Sequence, residues 1–168
     1  LNHLWQLGLS VDALLAIGAS LGADVPVFVA GHSAWAEGIG EKLSPVTLPS
    51  AWFLIVKPPV HVSTAKIFCH EQLTRDTSPI TLAAFFEGSS RNDCQPLVQQ
   101  LYPEVAKALN WLSGFGEARL TGTGACIFAK FASRADAERP LRALPEQWSG
   151  FVAQGLNYSP EMSVVDGQ

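Results

Sequence analysis

One acidic side chain stands alone in an apolar stretch near the start of the chain. The segment LGADVPVFVAG, residues 21–31, carries a single charged residue, Asp24, between small and apolar neighbours. Apolar surroundings and low solvent access make a carboxylate a stronger base, suited to accept a proton from an alcohol. An aspartate before a helix or turn also serves as a cap for main-chain amides. The residues alone leave both interpretations of Asp24 open.

A second candidate is the glycine-rich segment in LTGTGACIFA, which we call the glycine loop and which consists of Thr121, Gly122, Thr123, Gly124 and Ala125. Two glycines so close together allow positive φ angles and leave amide groups uncovered by side chains, as in loops that approach phosphate. The two threonine hydroxyl groups would add donors. The alternative is a hairpin turn that merely needs glycine.

A third candidate is the pair Thr64 and Phe68 in the predicted short helix STAKIF. Four residues apart, they lie on one helix face, where the threonine could orient a substrate and the phenylalanine could pack on a ring. The alternative is a hydroxyl at the helix start and an aromatic residue of the core. Asn92 and Asp93 precede a longer helix; they are predicted to cap it, and the alternative is that they belong to a functional site. The four histidines have no metal-ligand spacing, Glu104 and Glu117 form no convincing catalytic pair, and no metal site is predicted.

The elements before residue 50 follow from periodicity and turn residues. Residues 1–9 begin in a helical pattern, and a helix capped by Ser10 is predicted to end at Gly22. Pro26 indicates a change of chain direction near Asp24, followed by a short apolar segment at 27–30. SAWAEGIGEKL is typical of a hairpin with Gly38 and Gly40 in its turn.

From Trp52 onward the pattern predicts the order β-α-β-β-α-β, an arrangement typical of ferredoxin-like domains. WFLIVKP is predicted to be a strand buried on both faces, and a long helix with a possible kink at Pro103 follows. Two strands flank the glycine loop, a helix starts after Ser133, and FVAQGLN forms the last strand. We expect an α+β protein with a domain boundary in the loop after Ser44, so that residues 1–44 and 45–168 belong to different domains.

Composition narrows the class of protein. The 168 residues are 48% hydrophobic and 15% charged, which is typical of a globular chain, and the formal net charge is −4. No basic cluster is present, so nucleic-acid binding through an electrostatic footprint is not expected. Cys69, Cys94 and Cys126 are odd in number and widely spaced, which predicts reduced thiols in a cytoplasmic protein. No apolar run is long enough to span a bilayer.

Taken in order, these segments resemble the GHMP-type small-molecule kinases. The resemblance rests on LGADVPVFVAGHSAWAEGIGEKL, STAKIF, the pair Asn92–Asp93, RLTGTGACIFAKF and GFVAQGLNYSP, and it covers nearly the whole chain. GADVP together with LTGTGAC is far more specific than either motif alone. The resemblance implies an α+β fold in which residues 1–44 are the tail of a ribosomal-S5-like nucleotide-binding domain and residues 45–168 are the ferredoxin-like C-terminal domain.

The resemblance also implies roles for the candidate residues. Asp24 would accept the proton of a substrate hydroxyl as that oxygen attacks the γ-phosphate of ATP, with Mg²⁺ on the nucleotide. Thr64 and Phe68 would contact a cytidine diphosphate-linked sugar alcohol, with Phe68 against the cytosine. The glycine loop would shape the active centre near the phosphates. We expect no nucleic-acid or membrane partner and a monomer or weak homodimer in the cytoplasm.

Two departures from the family accompany the match. Gln95 stands where the family usually has glutamate. The glycine/serine-rich ATP loop and a lysine that precede this region in the family have no counterpart here, so we expect the chain to be a fragment that is inactive alone. Two alternatives remain open: a GHMP kinase for another small alcohol, and a ferredoxin-like, non-catalytic module that binds a small ligand or regulates.

Overall fold

The computed structural model describes residues 1–160, which form two units. Among these residues the first unit comprises 1–49 and 156–160, and the second is Ser50–Gly155. The change from the first unit to the second falls between Pro49 and Ser50. The chain returns to the first unit because Tyr158 forms an antiparallel bridge with His32, and the Ser33 N–H donates to the carbonyl of Asn157 at 2.8 Å. The end of the predicted second domain, residues 161–168, lies outside the described residues.

The first unit contains the predicted helix α1, Val11–Leu21. The Ser10 hydroxyl caps it by accepting from the Ala13 N–H at 3.2 Å, and the Gly22 N–H donates to the Gly18 carbonyl at 3.1 Å. Residues 2–6 form turns and residues 7–9 no regular structure, so the helical start expected there is wrong. The Asn2 amide explains the difference, because it bonds both the N–H and the carbonyl of Leu9, at 3.1 Å each, and so folds this segment back on itself.

Helix α2, Val25–Ala30, contains the short apolar segment predicted at 27–30 and begins where a change of chain direction is predicted. Proline is tolerated in the first turn of a helix, where its missing N–H has no partner to lose, so Pro26 is accommodated as the second residue of this helix. Gly31 ends it with φ +68°. The predicted hairpin is present, as strands β1, Ala34–Glu37, and β2, Lys42–Pro45, pair antiparallel.

The second unit has the predicted β-α-β-β-α-β order. Its strands are β3, Trp52–Lys57; β4, Ala118–Leu120; β5, Ile127–Phe131; and β6, Ser149–Gln154. They form one sheet in the order β4-β5-β3-β6, in which every pair is antiparallel. This order, with the first strand central beside the last, is that of a ferredoxin-like sheet, and the predicted fold class is confirmed.

Five helices accompany the sheet: α3, Thr64–Phe68; α4, Leu82–Phe86; α5, Cys94–Leu101; α6, Pro103–Ser113; and α7, Arg134–Arg142. The predicted long helix is therefore two helices, separated at Tyr102. Pro103 is the first residue of α6 and cannot donate a hydrogen bond to the preceding turn, so the chain breaks there instead of only bending. Within residues 1–160 no helix has the length and apolar character needed to cross a bilayer.

The core of the second unit lies on one face of its sheet. Leu54 and Val56 of β3 are fully buried, whereas Phe53 and Ile55 between them are only partly buried. The expectation that β3 is buried on both faces is thus wrong, because side chains alternate along a strand and an antiparallel sheet needs a cover on one face only. The buried face packs against α5, α6 and α7 through Val98, Val105 and Leu112, among others.

Candidate active site

Asp24 occupies the N-cap position of α2 but does not act as a cap. Its side chain makes no capping hydrogen bond, and among residues 1–160 no hydrogen-bond or ion-pair partner of its carboxylate is present. The side chain is also exposed, so the low solvent access expected from the apolar sequence is not found. Of the two interpretations, the capping role finds no support, and the carboxylate is free to meet a ligand.

The link between α1 and α2 holds Asp24 in place through close contacts within the first unit. A Cβ atom at Gly18 of α1 would lie 3.1 Å from Val25 Cγ1, so the two helices approach tightly at the residue that follows Asp24. On the other side Gly40, at φ +110°, brings the hairpin turn to Ala23, where an added Cβ would lie 2.4 Å from the carbonyl oxygen. Glycine is required at this contact, both for its φ and for space.

Thr64 meets the glycine loop directly. Ser63 caps α3 by accepting from the Lys66 N–H at 3.3 Å, which places Thr64 as the first helical residue. The Thr64 Oγ1 lies 2.9 Å from the Oγ1 of Thr123, and the two hydroxyl groups share a hydrogen bond. Thr123 is 8% exposed, the single polar or charged residue of the described chain that counts as buried. Two of the three candidates predicted from sequence are therefore in contact.

Phe68 ends α3 with its ring in solvent. The residue is 56% exposed, so the alternative that it is a core aromatic is wrong. Arg75 supports the main chain here, since its guanidinium donates to the carbonyls of Phe68 at 2.7 Å and His70 at 3.0 Å. An exposed aromatic ring on a braced helix end is available to stack on a planar ligand.

The glycine loop is a tight turn between β4 and β5. The Thr121 N–H donates to the Cys126 carbonyl at 3.0 Å, and the Gly124 N–H donates to the Thr121 carbonyl at 2.8 Å. Gly122 and Gly124 have φ of +48° and +91°, respectively. Within the described residues the N–H groups of Gly122 and Thr123 have no main-chain acceptor. The loop is thus a hairpin turn that also leaves two consecutive amides without a partner.

Asn92 contacts the same loop, which the sequence did not indicate. Its Nδ2 donates to the carbonyls of Leu120 at 3.0 Å and Gly122 at 2.7 Å, while its Oδ1 accepts from the Cys94 N–H at 2.9 Å. Gln95 adds a bond in which its Oε1 accepts from the Leu120 N–H at 2.8 Å. The predicted capping by Asn92–Asp93 is supplied by Asn92 alone, since Asp93 makes no capping bond. The contact joins residues about 30 positions apart, so no local pattern could reveal it.

The next residue, Cys94, is a buried thiol. Burial raises the pKa of Cys94 above the usual thiol value, and the neighbouring Asp93 carboxylate raises it further. A thiol in this state stays neutral and is a poor nucleophile at neutral pH. Cys94 is therefore a buried residue of the core and is not a candidate for covalent chemistry.

A cavity of about 330 Å³ opens beside Asn92 in the second unit, but it does not include Thr64, Phe68 or the glycine loop. Its charged residues pair with one another: Arg91 with Asp93 at 3.0 Å and Arg119 with Glu117 at 2.5 Å. Because both guanidinium groups already have a carboxylate partner, the cavity offers no free cation for a phosphate. Among residues 1–160 no three His, Cys, Asp or Glu side chains gather as a metal-binding group.

Comparison with known proteins relates the chain to one family. The family model for the C-terminal part of GHMP kinases matches residues 72–150. The chain is 52% identical over 159 residues to a protein of Nitrosococcus oceani, covering 95% of this chain and 57% of that protein. It is 55% identical over 159 residues to one of Pseudomonas putida strain GB-1, covering 95% and 56%. It is 52% identical over 168 residues to one of Alkalilimnicola ehrlichii, covering 100% and 58%.

All three relatives bear the name 4-diphosphocytidyl-2-C-methyl-D-erythritol kinase, and the chain spans less than three fifths of the length of each. A solved crystal structure of 4-(cytidine 5'-diphospho)-2C-methyl-D-erythritol kinase matches with a TM-score of 0.74 over 91% of this chain and 59% of that one. The identity in that comparison is 24%, so it establishes the shared fold and no more.

Proposed function

Because the chain belongs to the GHMP kinase family, we propose that the protein phosphorylates the 2-hydroxyl of 4-diphosphocytidyl-2-C-methyl-D-erythritol with ATP, a step of the non-mevalonate isoprenoid pathway. The observation that carries the proposal is an identity of 52–55% to proteins of that name over at least 95% of this chain. The unpaired Asp24 and the free amides of the glycine loop are compatible with this chemistry.

In this proposal Asp24 accepts the proton of the substrate hydroxyl as its oxygen attacks the γ-phosphate. Phosphoryl transfer depends chiefly on positioning and charge neutralisation, so orienting the hydroxyl is as important as removing its proton. The Asp24 carboxylate is exposed and has no partner among residues 1–160, so it can accept a hydrogen bond from an incoming alcohol without breaking a bond to any of them. The close packing at Gly18 and Gly40 gives the group a defined main-chain position.

The glycine loop would lie against the phosphates. Two consecutive amides without main-chain acceptors, at Gly122 and Thr123, are the type of donor that holds anionic oxygens without a formal positive charge. The lack of a basic cluster in the sequence is then no obstacle to a phosphorylated ligand. Thr64 would orient the substrate, and its bond to Thr123 would link the substrate side of the site to the phosphate side.

Phe68 would stack on the cytosine. Its ring is exposed, and stacking on a base would remove that apolar surface from water. This residue is the part of the proposal that separates a cytidine-bearing substrate from other small alcohols, which offer no planar ring to stack.

ATP and Mg²⁺ complete the proposed reaction. Mg²⁺ in phosphoryl transfer is held by substrate phosphates, waters and one or two carboxylates, and when bound it neutralises charge on the phosphates. No three His, Cys, Asp or Glu side chains gather among residues 1–160, so in this proposal the nucleotide holds the ion and Asp24 stays available to the substrate hydroxyl. We also propose that residues 1–44 are the tail of a ribosomal-S5-like nucleotide-binding domain. A cytoplasmic site of action, where the three free cysteines stay reduced, and a monomer or weak homodimer complete the proposal.

The test is an assay of the protein at the full length of its relatives, with ATP, Mg²⁺ and one alcohol at a time. We expect phosphorylation of 4-diphosphocytidyl-2-C-methyl-D-erythritol and at least about 10³-fold lower kcat/KM with homoserine or mevalonate, because those alcohols lack the ring and the diphosphate. Preference for another alcohol would overturn the substrate assignment. Binding of the cytidine compound without phosphorylation would favour a non-catalytic module.

A further inference from the structure

The Asn92 side chain uses all of its polar groups in bonds that join two elements of the second unit. Both of its donor hydrogens point at carbonyls of the β4–β5 turn, those of Leu120 and Gly122, and its oxygen accepts from the N–H of Cys94 at the start of α5. Asparagine has two donors and an acceptor on one short side chain, and no other residue of that length does. The residue type is therefore matched to this contact.

The bond to the Gly122 carbonyl also determines where an amide points. The peptide group between Gly122 and Thr123 is planar, and in a trans peptide its C=O and N–H point in opposite directions. Since the Gly122 carbonyl faces Asn92 Nδ2 at 2.7 Å, the Thr123 N–H points away from Asn92. That N–H is one of the two in the glycine loop without a main-chain acceptor.

Gln95 bonds the same turn with the opposite polarity. Its Oε1 accepts from the Leu120 N–H at 2.8 Å, and none of the contacts found in residues 1–160 uses its Nε2. A glutamate at this position would keep the accepting oxygen. An aspartate at position 92 would instead place an oxygen against two carbonyl oxygens, because an ionised carboxylate only accepts.

We propose that Asn92 is a positioning residue that orients the Thr123 N–H of the glycine loop toward the phosphates of the nucleotide. The inference rests on the proposed function for the identity of the ligand, whereas the contact itself rests on the three bonds of Asn92. Asn92 does not touch the ligand in this account. It acts through the peptide group between Gly122 and Thr123.

The two amide-to-acid substitutions Asn92→Asp and Gln95→Glu test the proposal as a matched pair in the full-length protein. Each adds one carboxylate beside the same turn, but only N92D removes donors. We expect N92D to speed hydrogen exchange by about tenfold or more at Gly124, whose N–H is bonded to the Thr121 carbonyl, and to raise the KM for ATP about tenfold. We expect the KM for the alcohol substrate to change less than about twofold, and Q95E to stay within about twofold in each measurement. Should N92D not fold, Asn92→Ala removes the donors without added charge.

The outcomes separate the two levels of the proposal. Unchanged hydrogen exchange in N92D would overturn the positioning role, because the turn would then not depend on the Asn92 donors. An equal effect of Q95E would also overturn it, because the added negative charge alone would then explain the change in KM. Faster exchange with an unchanged KM for ATP would overturn the link to the phosphates. If the unsubstituted protein phosphorylates nothing, the proposed function fails, while faster exchange confined to N92D still supports the hold of Asn92 on the turn.

Discussion

The hydroxyl groups of Thr64 and Thr123 lie 2.9 Å apart and share one hydrogen bond, which ties the start of α3 to the glycine loop. Thr64 is exposed, whereas Thr123 is buried. The bond therefore gives a hydrogen-bond partner to the Thr123 hydroxyl, which water reaches poorly. A single contact therefore couples the segment proposed to hold the substrate to the segment proposed to hold the phosphates.

Thr64→Val should lower the free energy of unfolding by about 1–2 kcal/mol, because it leaves the buried Thr123 hydroxyl without a partner. Thr64→Ser keeps the hydroxyl and is the matched control, expected to change stability by less than about 0.5 kcal/mol. Urea unfolding of both variants measures the difference. The double variant T64V/T123V should lose less than the sum of the single variants. Equal stability of T64V and T64S would show that the bond contributes nothing.

Phe68→Ala should raise the KM for the cytidine substrate about tenfold or more, because stacking of an aromatic side chain on a base contributes on the order of 1–3 kcal/mol. Stability should change little, since the ring is 56% exposed. Phe86→Ala is the matched control: Phe86 is 53% exposed and also ends a five-residue helix. Steady-state kinetics of both variants give the comparison. A KM that rises equally in both, or in neither, would remove Phe68 from the substrate site.

Cys69 and Cys94 should differ in alkylation by iodoacetamide. Cys69 is exposed, whereas burial and the Asp93 carboxylate raise the pKa of the Cys94 thiol, and only a thiolate reacts. At pH 7.5 we expect Cys69 to be labelled first, as read by peptide mass spectrometry, and both residues to react alike in urea.

The raised pKa of the Cys94 thiol in the folded protein determines how the stability changes with pH. The neutral thiol contributes stability below the unfolded pKa of about 8.5, and this contribution is lost as the pH rises through the higher folded pKa of Cys94. Cys94 labelling in the folded protein should therefore accelerate only at alkaline pH. Labelling of Cys94 at the rate of Cys69 at neutral pH would contradict its burial.

Most of the second unit could be predicted from sequence, because its signals are local. Ser63 and Ser133 mark helix starts by their capping side chains, and both caps are present. The strand order follows from the β-α-β-β-α-β pattern, since few topologies are compatible with it. The burial of β3 could not be read from WFLIVKP, because an apolar run does not reveal whether one face or two are covered.

The candidate residues of the site could be predicted from the sequence, but the contacts that they make could not. Asp24, Thr64 and the glycine loop stand out by composition and spacing, but their surroundings depend on chain folding. Asp24 is exposed although its neighbours in sequence are apolar, because Val25 and Pro26 turn inward while the carboxylate does not. The bonds of Asn92 to Leu120 and Gly122 span 28 and 30 residues, beyond the reach of any local pattern.

The role of Asp24 is the point on which the proposed chemistry depends. Asp24→Asn keeps the size of the side chain and removes its charge. Because no partner of the carboxylate is present among residues 1–160, we expect the free energy of unfolding to change by less than about 0.5 kcal/mol. Asp12→Asn is the matched control in the same unit. Asp12 lies in the first turn of α1, so its loss should lower stability by about 0.3–1 kcal/mol and leave turnover unchanged.

The decisive measurement is turnover of 4-diphosphocytidyl-2-C-methyl-D-erythritol with ATP by D24N in the protein at the full length of its relatives. We expect kcat to fall by about 10²–10⁴-fold, with the KM of both substrates within a few fold of the unsubstituted protein. A D24N variant that keeps near-normal kcat would contradict the assignment of Asp24 as the group that accepts the proton of the substrate hydroxyl.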